Sequence, residues 1–233
     1  MNKKIVITGA TKGIGKAIAE KFAAHGFDLA LCARNVTDLE KLKLELSVYK
    51  TEIMTEACDV SKKQQVQHFA QSVLSKFGAV DVLINNAGVF IPGQLINEAD
   101  GTLEHLIETN LYSAYYLSRA LLPKMITNNS AHIFNICSVA SVNSYPNGGS
   151  YSISKFAMLG LSKALREELK ELNVKVTALL PGATLTDSWK GTNLPTTRFM
   201  KPEDLATLIF DIYNLSEQTV VEEVLLRPML GDV

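Results

Sequence analysis

The chain has 233 residues, 47% of them hydrophobic and 20% charged, with a formal net charge of −1. That length and apolar content suit one α/β domain with a sizeable core. The near-zero charge argues against a nucleic-acid surface or an anionic membrane as partner. No run of like charges reads as an interaction tail. The opening MNKKIVITGA passes from two lysines straight into a strand-like run. Its apolar part is too short for a signal-peptide core, and no stretch reaches the length of a membrane span, so a cytoplasmic location is expected. The three cysteines, Cys32, Cys58 and Cys137, each lie in or at the end of an apolar run. Their odd number and their spacing match no zinc pattern. They read as reduced thiols filling the core, and no metal site is expected.

In chain order, strands are predicted over Lys4–Thr8, Asp28–Ala33, Glu52–Cys58, Val80–Asn85, His132–Ser138, Lys175–Leu180 and Glu222–Arg227. Helices are predicted over Gly13–His25, Thr37–Val48, Lys62–Phe77, Thr102–Thr127, Tyr151–Leu172 and Pro202–Tyr213. The strands are nearly continuous apolar runs (IVIT, LALC, VLIN), as expected of a parallel sheet covered on both faces. Alternating βα units in this order predict a doubly wound α/β sheet. No internal repeat and no Pro/Gly/Ser-rich linker divides the chain, so residues 1–233 are read as one domain. The one long irregular stretch, about 183–200, has the length of an active-site lid.

The first strand runs into Thr8-Gly9-Ala10-Thr11-Lys12-Gly13-Ile14-Gly15. Glycines here let the backbone turn tightly and approach a pyrophosphate, and the following helix offers its free N–H groups and positive dipole end. The Gly-x-x-x-Gly-x-Gly spacing differs from the Gly-x-Gly-x-x-Gly fingerprint, and a plain strand-ending turn is the competing reading. At the end of the second strand an acidic residue would hydrogen-bond the adenosine ribose diol. Arg34 stands there instead, a planar guanidinium suited to a 2′-phosphate, and Lys12 adds a second cation, so NADP(H) is favoured over NAD(H). Asp59, after the third strand, can meet the adenine amino group or serve as an ordinary turn aspartate. Asn85-Asn86-Ala87-Gly88 follows the fourth strand, at the edge where such sheets bind ligands, and Asn-Asn is also common turn chemistry.

Tyr151 and Lys155 are four residues apart on a predicted helix and share a face, and Ser138 precedes the tyrosine by thirteen residues. A hydroxyl, a phenol and an ammonium so arranged can act on one carbonyl oxygen. Taken singly, Ser138 reads equally as a strand-end cap, Tyr151 as a helix-start aromatic, Lys155 as a solvated lysine and Asn110 as a satisfied buried amide.

Together, TGATKGIG, Asp59-Val60, NNAG at 85–88, Asn110, Ser138, YSISK at 151–155 and Pro181-Gly182 resemble the short-chain dehydrogenase/reductase family, in its order and across nearly the whole chain. The resemblance implies a Rossmann-like domain with seven parallel strands and a nicotinamide cofactor. Ser138 would hydrogen-bond the substrate oxygen and Tyr151 would donate its proton in reduction. Lys155 would hold the nicotinamide ribose and favour the phenolate, and Asn110 would anchor a water chain. The cofactor would touch Gly9, Thr11, Lys12, Gly13, Ile14, Gly15, Arg34, Asp59, Val60, Asn86, Ala87 and Gly88. At the nicotinamide end it would meet Tyr151, Lys155, Pro181, Gly182, Thr184 and Thr186. A free phenol has a pKa of about 10, so a neighbouring cation is what makes it a usable acid–base group near neutrality.

The substrate side is expected from Val139, Val142, Tyr145, Pro146 and Asn147, with Phe90 and Ile91 opposite. Trp189, the only tryptophan, would close over the substrate or else pack its loop onto the body. Thr186-x-x-Trp189 and the basic cofactor residues resemble sepiapterin-reductase-like carbonyl reductases. The 3-oxoacyl-(acyl carrier protein) reductases share the other motifs, but their usual Val-Asp-Gly-Gly tail is absent here. A catalytically weak NADP(H)-sensing regulator is the reading from another class, and it leaves the Asn-Ser-Tyr-Lys set unexplained. A sugar-nucleotide epimerase would need a larger second domain. Leu111, Tyr115, Phe156 and Leu159 are expected on the outer faces of helices 102–127 and 151–172. In the family these helices pair, and a homodimer or homotetramer follows.

Overall fold

The computed structural model describes residues 2–128 and 130–232. Seven parallel strands are present: β1 (Lys4–Thr8), β2 (Asp28–Ala33), β3 (Ile53–Ala57), β4 (Val82–Asn85), β5 (Ala131–Ile136), β6 (Val174–Pro181) and β7 (Glu223–Leu226). They lie in the order β3-β2-β1-β4-β5-β6-β7. The helices are α1 (Gly13–Ala24), α2 (Val36–Leu46), α3 (Lys63–Phe77), α4 (Thr102–Ile107), α5 (Ser113–Met125), α6 (Gly149–Leu169) and α7 (Pro202–Tyr213). Chain order reverses about β1 and β4, which creates the crevice at their carboxyl ends where such sheets bind ligands.

Side chains alternate along each strand, so each strand feeds both cores. Ile5, Ile7, Leu29 and Leu31 pack with Phe22 of α1, Leu42 of α2 and Ile209 of α7. Val6, Ala30 and Leu83 pack on the opposite face with Phe69 of α3, Leu117 of α5 and Leu165 of α6. Burial on both faces accounts for the unbroken apolar runs. The three cysteines are free thiols inside the fold. None of the described helices is long and apolar enough to cross a membrane.

The boundaries depart from the sequence reading in instructive places. β4 begins at Val82, although Asp81 already bonds both neighbouring strands: its N–H donates to Lys4 O at 3.0 Å, its carbonyl accepts the His132 N–H at 2.9 Å, and its carboxylate accepts the Lys4 N–H at 2.6 Å. The expected helix 102–127 is interrupted by a π-helical segment, Glu108–Tyr112, that contains Asn110. α6 begins two residues earlier than expected, at Gly149. Leu159, expected on an outer face, is only 6% exposed and packs with Met158, Ala178 and Leu180.

His132 in β5 is buried and stacks on Phe134 at 3.9 Å. Thr177 Oγ1 donates to Val221 O at 2.6 Å, so it must accept from His132 Nε2 at 2.8 Å. Nδ1 is then a buried lone pair without a partner. Burial, with Lys175 adding repulsion, pushes the imidazole pKa down to about 3. The unfolded chain takes up this proton near pH 6.5 and the folded protein does not until about 3. This contribution to stability is complete above about pH 6.5 and is lost as pH falls through that window. In His132→Gln, the pH slope of the unfolding free energy between about pH 6 and 4 is expected to fall by about 1 kcal/mol per pH unit. Urea unfolding at stepped pH measures it, and an unchanged slope would show that the folded protein protonates His132.

Candidate active site

The site begins where β1 and β4 end side by side. Thr8 Oγ1 accepts the N–H groups of Asn86 (3.1 Å) and Ala87 (3.0 Å). Asn86 Nδ2 returns to Thr8 O at 2.9 Å and Gly9 O at 3.1 Å. The start of α1 packs into this staple. A Cβ on Gly15 would lie 2.3 Å from Gly9 O and 2.5 Å from Asn86 Nδ2, so only glycine allows the approach. Gly13 has φ +51°, and a Cβ there would lie 2.8 Å from Thr186 Cγ2. Thr186 therefore covers the glycine loop. The first turn of α1 holds no acidic residue and Lys12 supplies no side-chain cap, so its N–H groups face the crevice free for an anionic group.

At the far end of the crevice Arg34 is exposed immediately after β2, and Asn35 caps α2 by accepting the Asp38 N–H at 2.9 Å. Lys12 Nζ lies 3.4 Å from Asp38 and 3.6 Å from Asp187, bridging α2 to the turn Asp187–Trp189. These three residues border a pocket of about 350 Å³ with Thr11, Gly13 and Lys16. Asp59 Oδ1 accepts from Ser61 N at 3.0 Å and Ser61 Oγ at 2.8 Å. Burial raises the Asp59 carboxyl pKa, but these bonds and the Lys62 and Arg34 charges bring it below the usual carboxylate range. Val60 beside it is buried in the core.

Ser138 follows β5 and caps a single turn, Val139–Ser141, accepting the Ala140 N–H at 3.1 Å while Ser141 Oγ accepts its own N–H at 3.2 Å. Tyr151 and Lys155 lie one turn apart on α6. Lys155 is 6% exposed, its ammonium donates to Ile136 O at 2.9 Å, and it lies 5.9 Å from the Tyr151 ring centre. Phe90 meets the Tyr151 ring edge-on at 4.8 Å. Asn110 accepts the Val89 N–H at 2.8 Å and donates to Val89 O and Ser154 Oγ, both at 3.0 Å. A Cβ on Gly88 would sit 3.2 Å from Asn110 Oδ1 and 3.6 Å from Lys155 Nζ, so the NNAG turn brings these two groups together.

The rim holds the half-exposed Phe90, Ile91, Val142 and Tyr145, with Pro146 following and Asn147 in a left-handed turn at φ +61°. Burial, then the neighbouring Tyr151 and Asp232, pushes the Tyr145 phenol up to about 12. The Tyr145 phenol therefore keeps its proton across the neutral range. Beyond Pro181, Thr184 Oγ1 donates to Gly182 O at 3.1 Å. Backbone bonds Leu185 N to Met200 O (2.9 Å) and Met200 N to Ala183 O (3.0 Å) close the neck of the 183–200 loop. Trp189 packs on Phe199 within that loop at 4.9 Å.

One polar pairing escaped the sequence reading. Asn85 turns inward, donating to Ser118 Oγ at 3.0 Å and Asn135 Oδ1 at 2.8 Å, while Asn135 donates to Ser162 Oγ at 2.9 Å. The signal was an asparagine inside each of two apolar runs, VLIN and IFNI, which the sheet register sets opposite one another. The C-terminal tail also reaches the site. Arg227 holds the Asp232 carboxylate at 2.8 Å, Arg198 donates to Asp232 O at 3.3 Å, and Asp232 Oδ1 comes within 2.9 Å of the space a Cβ on Gly182 would fill. Nothing local in the tail marks that approach.

The family model described as short chain dehydrogenase matches residues 3–196. Sepiapterin reductase from Chlorobaculum tepidum is 36% identical, with 100% of this chain and 99% of that protein covered. An alcohol dehydrogenase from the archaeon Thermococcus sibiricus, complexed with 5-hydroxy-NADP, superposes with a TM-score of 0.92 at 32% identity, covering 100% of this chain and 99% of that one. L-Sorbose reductase from Gluconobacter frateurii, complexed with NADPH and L-sorbose, gives 0.91 at 28% identity, covering 97% and 95%. A crevice built on a glycine loop at a sheet switch point, with Ser138, Tyr151 and a buried Lys155 along its wall, thus sits in a chain that belongs to the short-chain dehydrogenase family of oxidoreductases.

Proposed function

We propose that this enzyme is an NADP(H)-dependent carbonyl reductase resembling sepiapterin reductase, with Tyr151 as the proton donor. The observation that carries the reading is Lys155: an ammonium buried to 6% exposure, tied to Ile136 O and set beside the Tyr151 ring. When bound, the nicotinamide supplies the hydride. The chain's own residues handle the oxygen. Ser138 presents a hydroxyl to the carbonyl, Tyr151 passes it a proton, and Lys155 places positive charge beside the phenol oxygen that is left behind. Tyr145 stays a neutral phenol and orients the substrate.

The glycine cradle fits a dinucleotide diphosphate, since a Cβ at Gly15 would collide with Gly9 O. Arg34 and Lys12, with no acidic residue at the end of β2, favour a 2′-phosphate. NADP(H) in the two structural relatives supports the same choice. Trp189 and the 183–200 loop form the outer wall, and the apolar rim of Phe90, Ile91 and Val142 suits a flat or apolar carbonyl compound.

Turnover of NADPH and NADH against a diketone, an aromatic aldehyde, a pterin side-chain ketone and an acetoacetyl thioester tests the whole reading. Preference for the pterin ketone is expected. Preference for the thioester would favour an acyl-carrier substrate, and binding without any turnover would favour a sensor. Arg34→Ala should weaken NADPH binding by about tenfold or more and leave NADH within about twofold, by fluorescence titration. Equal losses would remove Arg34 from phosphate recognition. Tyr151→Phe should lower kcat by at least about 100-fold with NADPH binding intact, and retained turnover would move the proton donor elsewhere.

Tyr112, Tyr115 and Phe156 leave large apolar surface exposed on the outer faces of the π-helical segment, α5 and α6. We assign this surface to a two-fold contact between copies of the chain. Sedimentation at micromolar concentration is expected to give a dimer or tetramer. A strict monomer would overturn the assignment.

A further inference from the structure

We propose that Glu98 is a positioning residue for Tyr151, acting through Ser150; the inference rests on the role of Tyr151 proposed above. α6 starts without a cap of its own, because its N-cap residue is Gly148 and no side chain closes the first turn. The segment that follows β4 reaches this turn through a side chain. Glu98 Oε1 accepts a hydrogen bond from Ser150 Oγ. Ser150 is 1% exposed and immediately precedes Tyr151. A carboxylate beside the free N–H groups of a helix start is electrostatically favourable there.

The backbone geometry brings this segment to the helix deliberately close. Gly93 N donates to Asn147 O at 2.9 Å, and Gly93 and Gly148 pair as an isolated parallel bridge. A Cβ on Gly149 would lie 2.6 Å from Gly93 O and 3.1 Å from Glu98 Oε2, so the first residue of α6 has to be glycine for the carboxylate to reach. The segment is itself held at its base by Asn110 through Val89, and Glu98 N closes a turn onto Gln94 O at 2.9 Å. Phe90, in the same segment, packs edge-on against the Tyr151 ring. One piece of chain therefore holds the tyrosine at its ring through Phe90 and holds the side chain of the residue before it through Glu98. A displacement of the phenol by a fraction of an ångström would be felt in the proton-transfer step and scarcely in cofactor binding.

The test compares kcat, KM and NADPH affinity for Glu98→Ala, Glu98→Gln, Ser150→Ala, the Glu98→Ala/Ser150→Ala pair and Tyr151→Phe, using the carbonyl with the highest turnover in the panel above. Glu98→Ala is expected to lower kcat by about tenfold, with NADPH affinity within about twofold. Glu98→Gln keeps an acceptor for Ser150 and should return kcat to within about threefold of the parent. Ser150→Ala should match Glu98→Ala, and the double variant should be no worse than either single one. Should Glu98→Ala fail to fold, Glu98→Gln and Ser150→Ala carry the same comparison. Parental kcat in Glu98→Ala or Ser150→Ala, or single losses that multiply in the pair, would overturn the inference. Tyr151→Phe separates the two levels: if it retains turnover the proposed role of Tyr151 fails, and if it alone is inactive only the role of Glu98 fails.

Discussion

The close approach of α1 to the paired ends of β1 and β4 is the constraint on which the rest of the site depends. It requires Gly15 beside Gly9 O, and it requires Asn86 to satisfy the two carbonyls of the turn that β1 leaves behind. Thr8 completes the staple by accepting the N–H groups of Asn86 and Ala87. With those polar groups satisfied internally, the free N–H groups at the start of α1 are left for a ligand. The same staple fixes the NNAG turn, and that turn brings Asn110 and Lys155 to one point around Gly88.

The opposite wall of the crevice is held by polar groups that the core can ill afford to leave unpaired. Asn85, Asn135, Ser118 and Ser162 link the two central strands to α5 and α6. Each lost partner in such a network costs about 1–3 kcal/mol, so the arrangement penalises any slip of α6 against the sheet. Lys155 adds a tie of the same kind, from α6 to the last carbonyl of β5. Helix α6 is thus fixed along its length from beneath and at its start by the Glu98 segment. Such rigidity would serve the proton transfer proposed for Tyr151, where distance to the substrate sets the rate. By contrast, the 183–200 loop is tied by backbone bonds only at its neck, and its tip rests on Trp189 and Phe199 and on surface ion pairs. The fold therefore joins a stiff wall along α6 to a lightly held outer one.

The asparagines show how one residue type carries different work. Asn110, expected to anchor a water chain, has both amide donors and one lone pair engaged with Val89 and Ser154. It lies in a π-helical segment, a register that often marks functional sites. Asn85, expected in the ligand crevice, is 4% exposed and serves the core, while its neighbour Asn86 faces the glycine loop. Asn85 is the last residue of β4 and Asn86 the first of the turn that follows it, bonded to the end of β1.

By itself the sequence determined the alternation of strands and helices, the parallel sheet, the glycine turn and the Tyr151–Lys155 pair. All of these depend on short-range spacing: period two in strands, three to four in helices, and glycine where a side chain would collide. The tertiary structure alone decided which polar residues met across the sheet, and that Glu98 would accept the Ser150 hydroxyl at the start of α6, more than fifty residues further along the chain. It also decided that the Asp81 carboxylate would accept the Lys4 N–H, that Leu159 would turn inward, and that the tail would bring Asp232 to Gly182. Those outcomes depend on distances between segments remote in sequence. Such distances are set by how helices pack on a twisted sheet, and no local pattern of residue types encodes them.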